Sequence, residues 1–313
     1  MTSISIAIVA YPGCLLSAVH GLDEMFWMAN RASQELNQTF QFESQIVEWP
    51  NAHSALLEQS YAAIVLPPSR EQIESIAFSE NLLDWLTWQH QKGALLSAAC
   101  AGVFLLATAG LLRHKSVTTH WGLAQIFSQR FPDVTLKSDE ILINQGDIIT
   151  AGGMMSWMDL GLELVAQFTS PAIMRQVGKL LVIDTGAREQ RYYQQFSPSM
   201  LHGDDVVLQL QHWLHDHYHQ SHSISELAAQ AHVTPRTLQR RFIKAVGYNP
   251  IQYLQRLRIQ KVCDWLESST HSFEWIAHQV GYEDAGACRK TFSKIMGLTP
   301  SEFRRRFTSP SQM

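Results

Sequence analysis

The chain has 313 residues, 46% hydrophobic and 17% charged, with 24 Lys and Arg against 28 Asp and Glu, an ordinary globular composition long enough for about two domains. No apolar run approaches the roughly 18 residues of a membrane span, and Met1-Thr2-Ser3-Ile4 lacks the basic start of a secretory leader, so neither membrane insertion nor secretion is expected. The four cysteines, Cys14, Cys100, Cys263 and Cys288, show no paired spacing and read as reduced thiols of a cytoplasmic protein.

In chain order, Ile4 to Ala10 is an apolar run of strand length, and Gly21 to Leu36 places Leu22, Met25, Phe26, Ala29 and Ala32 at helical spacing. Phe42 to Glu48 alternates like a strand. Ala62 to Leu66 is a buried-strand run closed by Pro67-Pro68, and residues 71–92 read as a helix. Ala94 to Ala98 is a further apolar strand, followed by a helix over Gly102 to Ala109. Short strands follow at Val117 to Thr119, Val134 to Leu136, Ile141 to Ile143 and Ile148 to Ala151, with helices near 121–130 and 156–168. This alternation predicts an α/β sandwich on a largely parallel sheet, with any ligand at the carboxyl ends of its strands.

One such end carries a nucleophile signal. In Ser97-Ala98-Ala99-Cys100-Ala101-Gly102, small residues flank Cys100 between an apolar strand and an apolar helix. They permit the sharp turn of a nucleophile elbow, and the helix N-terminus beyond would lower the thiol pKa. Spacing alone leaves open a buried structural cysteine.

The last hundred residues repeat one pattern. Ile224 to Ala228, Val233 to Phe242 and Gly247-Tyr248-Asn249-Pro250 are echoed by Phe273 to Ala277, Tyr282 to Phe292 and Gly297-Leu298-Thr299-Pro300. Ala228 and Ala277 are 49 apart, while Phe242 and Phe292, Gly247 and Gly297, and Pro250 and Pro300 are 50 apart, so one extra residue sits in the second turn. Two such helix-turn-helix units suit two successive major grooves, about 34 Å apart. Residues 234–308 carry 13 Lys and Arg against 6 Asp and Glu, a charge of +7, whereas the rest of the chain stands at −11. A basic module on an acidic body is the footprint of a DNA binder. Thr234 and Pro235 start a helix whose Leu238 and Phe242 face inward, which puts Arg236, Gln239 and Arg240 on the outer face, side chains suited to guanine and adenine edges. In the second unit Asp284 caps the helix, Arg289 and Lys290 project outward, and Arg304, Arg305 and Arg306 are phosphate candidates. His212, His215, His219 and His222 have zinc-like spacing but no accompanying cysteine or carboxylate array, so no metal and no cofactor is expected.

Residues 4–165 resemble the PfpI/ThiJ superfamily, which has the class I glutamine amidotransferase fold. The resemblance rests on Ala99-Cys100-Ala101-Gly102, Gly21-Leu22-Asp23-Glu24, Thr118-Thr119-His120-Trp121, and Asp147 to Gly153 followed by Asp159-Leu160. Carried over, it implies a flavodoxin-like domain in which Glu24, Cys100, Ala101 and His120 form the ligand site. Active relatives place glycines after the third strand, whose N–H groups help form an oxyanion hole. Here Leu66-Pro67-Pro68-Ser69 supplies prolines, which have no N–H, and His120 lacks the His-x-Glu partner. Residues 220–307 resemble the AraC/XylS DNA-binding domain, with Cys288 where an aromatic residue or Leu is usual and Lys290 where Arg is usual. The combination, with Gly186 to Tyr193 and His202-Gly203-Asp204 between, is similar to the GlxA-type transcriptional regulators.

The expected organisation is a ligand-sensing domain over 1–198, a linker helix over 199–219 and an all-α DNA-binding domain over 220–308 with two helix-turn-helix units. The expected function is a cytoplasmic, nucleoid-associated transcription regulator. It would form a homodimer, bind a promoter operator, respond to a small effector and, as an activator, meet RNA polymerase. In this reading Cys100 is a low-pKa thiol in a pocket that binds rather than turns over. The alternative is a cysteine-dependent amidase or hydratase carrying a DNA-targeting domain.

Overall fold

The computed structural model describes residues 2–71, 79–186 and 188–308, which divide into two compact units at Gln190/Arg191. The first unit is built on β1 (Thr2–Ala10), β2 (Phe40–Glu48), β3 (Ala63–Leu66), β4 (Leu95–Ala99), β7 (Leu142–Asn144) and β8 (Ile148–Ala151), with β5 (Ser116–Val117) and β6 (Thr135–Leu136) as a separate small ladder. The sheet order is β2-β1-β3-β4-β8-β7. All pairs are parallel except β7 with β8, as the apolar runs of β3, β4 and β8 require: each is buried on both faces.

Helices α1 (Leu16–Glu35), α6 (Trp157–Phe168) and α7 (Pro171–Leu181) pack together, and α3 (Glu80–Gln91) packs on α4 (Val103–Thr108); α2 (Ser54–Glu58) and α5 (Ala124–Arg130) are short connectors. Two glycines admit the closest helix contacts: a Cβ on Gly21 would lie 2.4 Å from the Trp157 ring, and one on Gly161 2.6 Å from the Met25 sulfur. The helix expected over 71–92 is observed as Glu80–Gln91, and residues 72–78 lie outside the described residues. Sequence periodicity missed α7, which begins at the Ser170 N-cap with Pro171 behind it.

The second unit contains α8 (Asp205–His217), α9 (Ile224–Gln230), α10 (Pro235–Val246), α11 (Pro250–Ser268), α12 (Phe273–Gln279), α13 (Ala285–Met296) and α14 (Pro300–Phe307). Here the expected linker helix needs correction. Val207, Leu210 and Leu214 of α8 are buried in one core with Leu227, Leu238, Phe242 and Tyr253, so α8 belongs to the helical unit. A second core gathers Ile276, Val280, Cys288, Phe292 and Phe303. Helix α11 is the spine of both: Tyr253, Leu254 and Leu257 enter the first core, and Ile259, Val262 and Leu266 the second. Its 19 residues are long enough, at about 1.5 Å each, to span two such cores.

The repeat is matched cap for cap. Ser223 and Ser272 cap α9 and α12, and Gly247 and Gly297 close α10 and α13 in the left-handed conformation. The amides of Val233 and Tyr282 donate to the carbonyls of Ala228 and Ala277, still 49 apart, whereas the next caps, Thr234 and Asp284, are 50 apart. The inserted residue therefore falls between Tyr282 and the Asp284 cap, at Glu283.

Candidate ligand pocket and nucleic-acid interface

At the end of β4 the chain reverses through Cys100, a non-glycine residue at φ +54°, into a 3-10 turn over Cys100–Gly102 and then α4. Such a conformation costs about 1–3 kcal/mol and persists only where its surroundings impose it. Two contacts do so. The Thr119 hydroxyl donates to the Cys100 carbonyl at 2.7 Å, and Gly102 lies so close to β3 that a Cβ there would come within 2.8 Å of the Leu66 and Pro67 carbonyl oxygens. The elbow is therefore present as backbone geometry.

Its chemistry departs from expectation. Burial pushes the Cys100 thiol up to about 11, and the Ala101 N–H only partly offsets this. The low-pKa thiol is thus corrected: the side chain is 4% exposed and the helix beyond is only six residues long. Glu24 is corrected as well. The inward set Leu22, Met25 and Phe26 fixes the phase of α1 and leaves Glu24 on its exposed face, while neighbouring Asp23 accepts from the Ser44 hydroxyl at 2.6 Å. His120 caps the 3-10 turn over Trp121–Leu123, where its Nδ1 accepts from the Gly122 amide at 3.0 Å. That bond occupies the Nδ1 lone pair and puts the proton of the neutral ring on Nε2; desolvation lowers the imidazole pKa, which favours this neutral form. After β3, Pro67 and Pro68 present carbonyls: Pro67 accepts from the Tyr11 hydroxyl and Pro68 from the Leu15 amide. Two residues on, the Arg70 amide donates to the Gly13 carbonyl.

Several residues at this end of the sheet lie in the stretches that carry the resemblance but were given no role there. Gln190 is 2% exposed, its Nε2 donates to the carbonyls of Thr119 and Ser138, and its Oε1 accepts from the Trp121 amide. Gly152 makes room for it: a Cβ there would sit 2.3 Å from Gln190 Nε2. Arg188 grips Asp159 through two short bonds, yet desolvation still leaves the Asp159 pKa raised. A cavity of about 170 Å³ is lined by Tyr11, Pro12, Trp49, Pro50, Leu82 and Leu105, and shares Tyr11 with the surroundings of the elbow.

In the helical unit, Leu238 and Phe242 are fully buried, and Arg236, Gln239, Arg240 and Lys244 are exposed on the other side of α10. The exception among its basic residues is Arg241, whose guanidinium clasps Asp204 at 2.6 and 2.8 Å and ties α10 to the start of α8. In α13 Lys290 and Lys294 are exposed. Arg289 is also exposed, but donates to Glu274 at 3.1 Å and lies over the Phe273 ring. Gly286 stands where the first unit has Arg236. Arg304 differs from the free phosphate ligand expected, since its Nη2 donates to the His271 carbonyl at 2.6 Å; Arg305 and Arg306 are exposed, the latter over the Tyr192 ring. The histidine tract divides: His215 meets the Tyr253 hydroxyl and His222 the His217 carbonyl, whereas His212 and His219 are exposed.

Comparison with known proteins agrees with both halves. Residues 50–167 match the DJ-1/PfpI family, and residues 227–306 match a helix-turn-helix domain. The chain is 26% identical over 230 residues to the HTH-type transcriptional regulator CdhR of Pseudomonas aeruginosa, covering 73% of this chain and 68% of that one. It is 24% identical over 216 residues to the HTH-type transcriptional regulator GlxA of Rhizobium meliloti, covering 68% of this chain and 66% of that one, just under two thirds of the relative's length. A crystal structure of a Vibrio parahaemolyticus protein proposed to be a transcriptional regulator shares the fold, with a TM-score of 0.51 and 18% identity over 57% of this chain and all of that one. The chain thus joins a segment that matches the DJ-1/PfpI family to one that matches a helix-turn-helix domain, and it is similar to HTH-type transcriptional regulators.

Proposed function

We propose that this protein is a transcription regulator that binds promoter DNA through residues 220–308 and senses a small molecule through its α/β unit. The observation that carries the reading is the paired unit on α11: two helices of equal length, capped alike, each burying one face and turning cationic side chains outward. Arg236, Gln239 and Arg240 read base edges from the first helix, and Arg289 and Lys290 serve the second. Arg305 and Arg306 fit phosphate better than Arg304, whose guanidinium is engaged with His271. The regulator works as a homodimer in the cytoplasm, on the nucleoid. Ligand binding favours one dimer geometry and hence one spacing of the DNA-binding units, and an activator of this design also meets RNA polymerase.

The alternative, a cysteine-dependent amidase or hydratase, needs an ionised thiol, a base with a free lone pair and N–H donors for an oxyanion. At the elbow the thiol is held protonated, the His120 Nδ1 lone pair is occupied, and Pro67 and Pro68 turn carbonyls to their neighbours. No helix among the described residues is long and apolar enough to cross a membrane. The test is DNA retardation by the full-length chain between low and physiological salt. Affinity should fall by orders of magnitude, as several phosphate contacts demand. Absence of retardation at low salt refutes the reading, and steady-state amide hydrolysis lost in Cys100→Ser would promote the enzyme.

A further inference from the structure

The outer face of α10 contains one residue that cationic recognition of phosphate does not explain. Ile243 is 52% exposed, although its helix has Leu238 and Phe242 fully buried one face away. An isolated exposed isoleucine is ordinary; the azimuth of this one is not. At about 100° per residue, Gln239, Ile243, Arg236 and Arg240 fall at roughly −60°, −20°, 0° and +40° around the helix axis, so Ile243 lies near the centre of the outward arc. It also lies about 6 Å further along the axis than Gln239, within the reach of the same groove. The surface around it is cationic: Arg236, Arg240 and Lys244 are exposed and α10 contains no acidic residue. A surface of that charge fits duplex DNA.

Among the base-edge groups of the major groove, hydrogen-bond donors and acceptors predominate, and the thymine 5-methyl is the apolar one. Resting on the DNA-binding reading, we propose that Ile243 is a specificity-determining residue that packs on a thymine methyl group in the half-site read by the first helix-turn-helix unit. The position 50 residues later is Ser293, which offers no such apolar surface. Methyl readout at this position therefore belongs to the first unit alone. It breaks the near-symmetry of the pair and gives the bound protein a direction along its operator.

The experiment uses the full-length chain and a duplex selected by it from a random pool. Each dT of the selected site is replaced singly by dU, which removes the methyl and leaves the hydrogen-bonding edge intact. One replacement in one half-site should weaken binding about fourfold, the worth of one buried methyl. Ile243→Ala should bind the dT and dU duplexes equally at that position, with an unchanged salt dependence because no charge is lost. Ile243→Val should keep part of the preference. A selected site without thymine, a dU series without effect, or an Ile243→Ala variant that still distinguishes dT from dU overturns the proposal and leaves DNA binding intact. Failure to bind any duplex overturns the DNA-binding reading and this inference with it.

Discussion

Gly281→Ala should destabilise the helical unit far more than His232→Ala at its counterpart. The two residues occupy the same point of the two turns, 49 apart, and both are left-handed, His232 at φ +54° and Gly281 at φ +89°. The first turn is open to solvent and carries an imidazole. In the second, a Cβ on Gly281 would lie 2.3 Å from the carbonyl oxygen of His219 and 2.7 Å from its carbonyl carbon. Both are backbone atoms, so no side-chain rotation relieves the overlap. Placing a Cβ in the left-handed region costs about 1 kcal/mol, and forcing atoms into a packed site about 1–3 kcal/mol, which together give about 2–4 kcal/mol. For a unit of this size that lowers its melting temperature by roughly 10 °C. Calorimetry of the full-length chain, with His232→Ala as the control expected to stay within about 0.5 kcal/mol of wild type, checks it. Gly281→Ala melting within about 2 °C of wild type would show that the segment ending at His219 does not press on this turn.

His232→Gly should stabilise the same unit by up to about 1 kcal/mol, since glycine takes a left-handed position without strain; urea titration measures it. Asp204→Asn keeps a helix cap and removes the ion pair with Arg241. That guanidinium, first among the causes, holds the Asp204 carboxyl below its ordinary range. A depressed folded pKa adds stability that is present above the unfolded value of about 3.9 and lost as pH falls through the folded one, so wild type and variant should differ in melting temperature at pH 7 and converge as the pH is taken below that unfolded value. All four cysteines are buried with raised pKa values, Cys100 to about 11 and Cys288 to about 12, so the native chain should react slowly with a thiol reagent at pH 8 and release four thiols on denaturation. One equivalent reacting at once in the native state would contradict the burial of the elbow. Arg240→Ala should cost on the order of 1–3 kcal/mol of discrimination at one base position, measured as the ratio of specific to non-specific affinity.

The helical unit was the more legible half because its signals are local. Thr234-Pro235, Asn249-Pro250 and Thr299-Pro300 each spell a cap and a first helical residue, and the structure uses all three as such. Leu238 and Phe242 fixed the helix phase, and with it the outward set. The same logic could not assign α8. Its Val207, Leu210 and Leu214 are as periodic in a linker as in a core, and only the long-range packing on Tyr253 and Phe242 separates the two. In the α/β unit the strands were legible as apolar runs, but the pocket was not. Gln190 lies in the tail of the unit, 70 residues from the His120 loop it holds; the stretch Gly186 to Tyr193 marks it only as part of a connection, and nothing local links it to Gly152, the small residue that admits it.

Glu24 shows how the same locality misleads. An acid on the first helix and a cysteine at the elbow are a pair only if the helix phase aims one at the other, and α1 is set by Gly21 packing on Trp157 and by Leu22, Met25 and Phe26 packing inward. Those contacts carry Glu24 out to solvent. What survives of the elbow is held by packing: Thr119 on the Cys100 carbonyl, Gly102 against Pro67, and Tyr11 on the Pro67 carbonyl. All three act on backbone atoms, and none needs the sulfur. The strained turn is therefore kept independently of the chemistry it serves elsewhere. What the fold keeps is the turn itself, a buried bend at the carboxyl end of β4, which is the place where open parallel sheets bind their ligands.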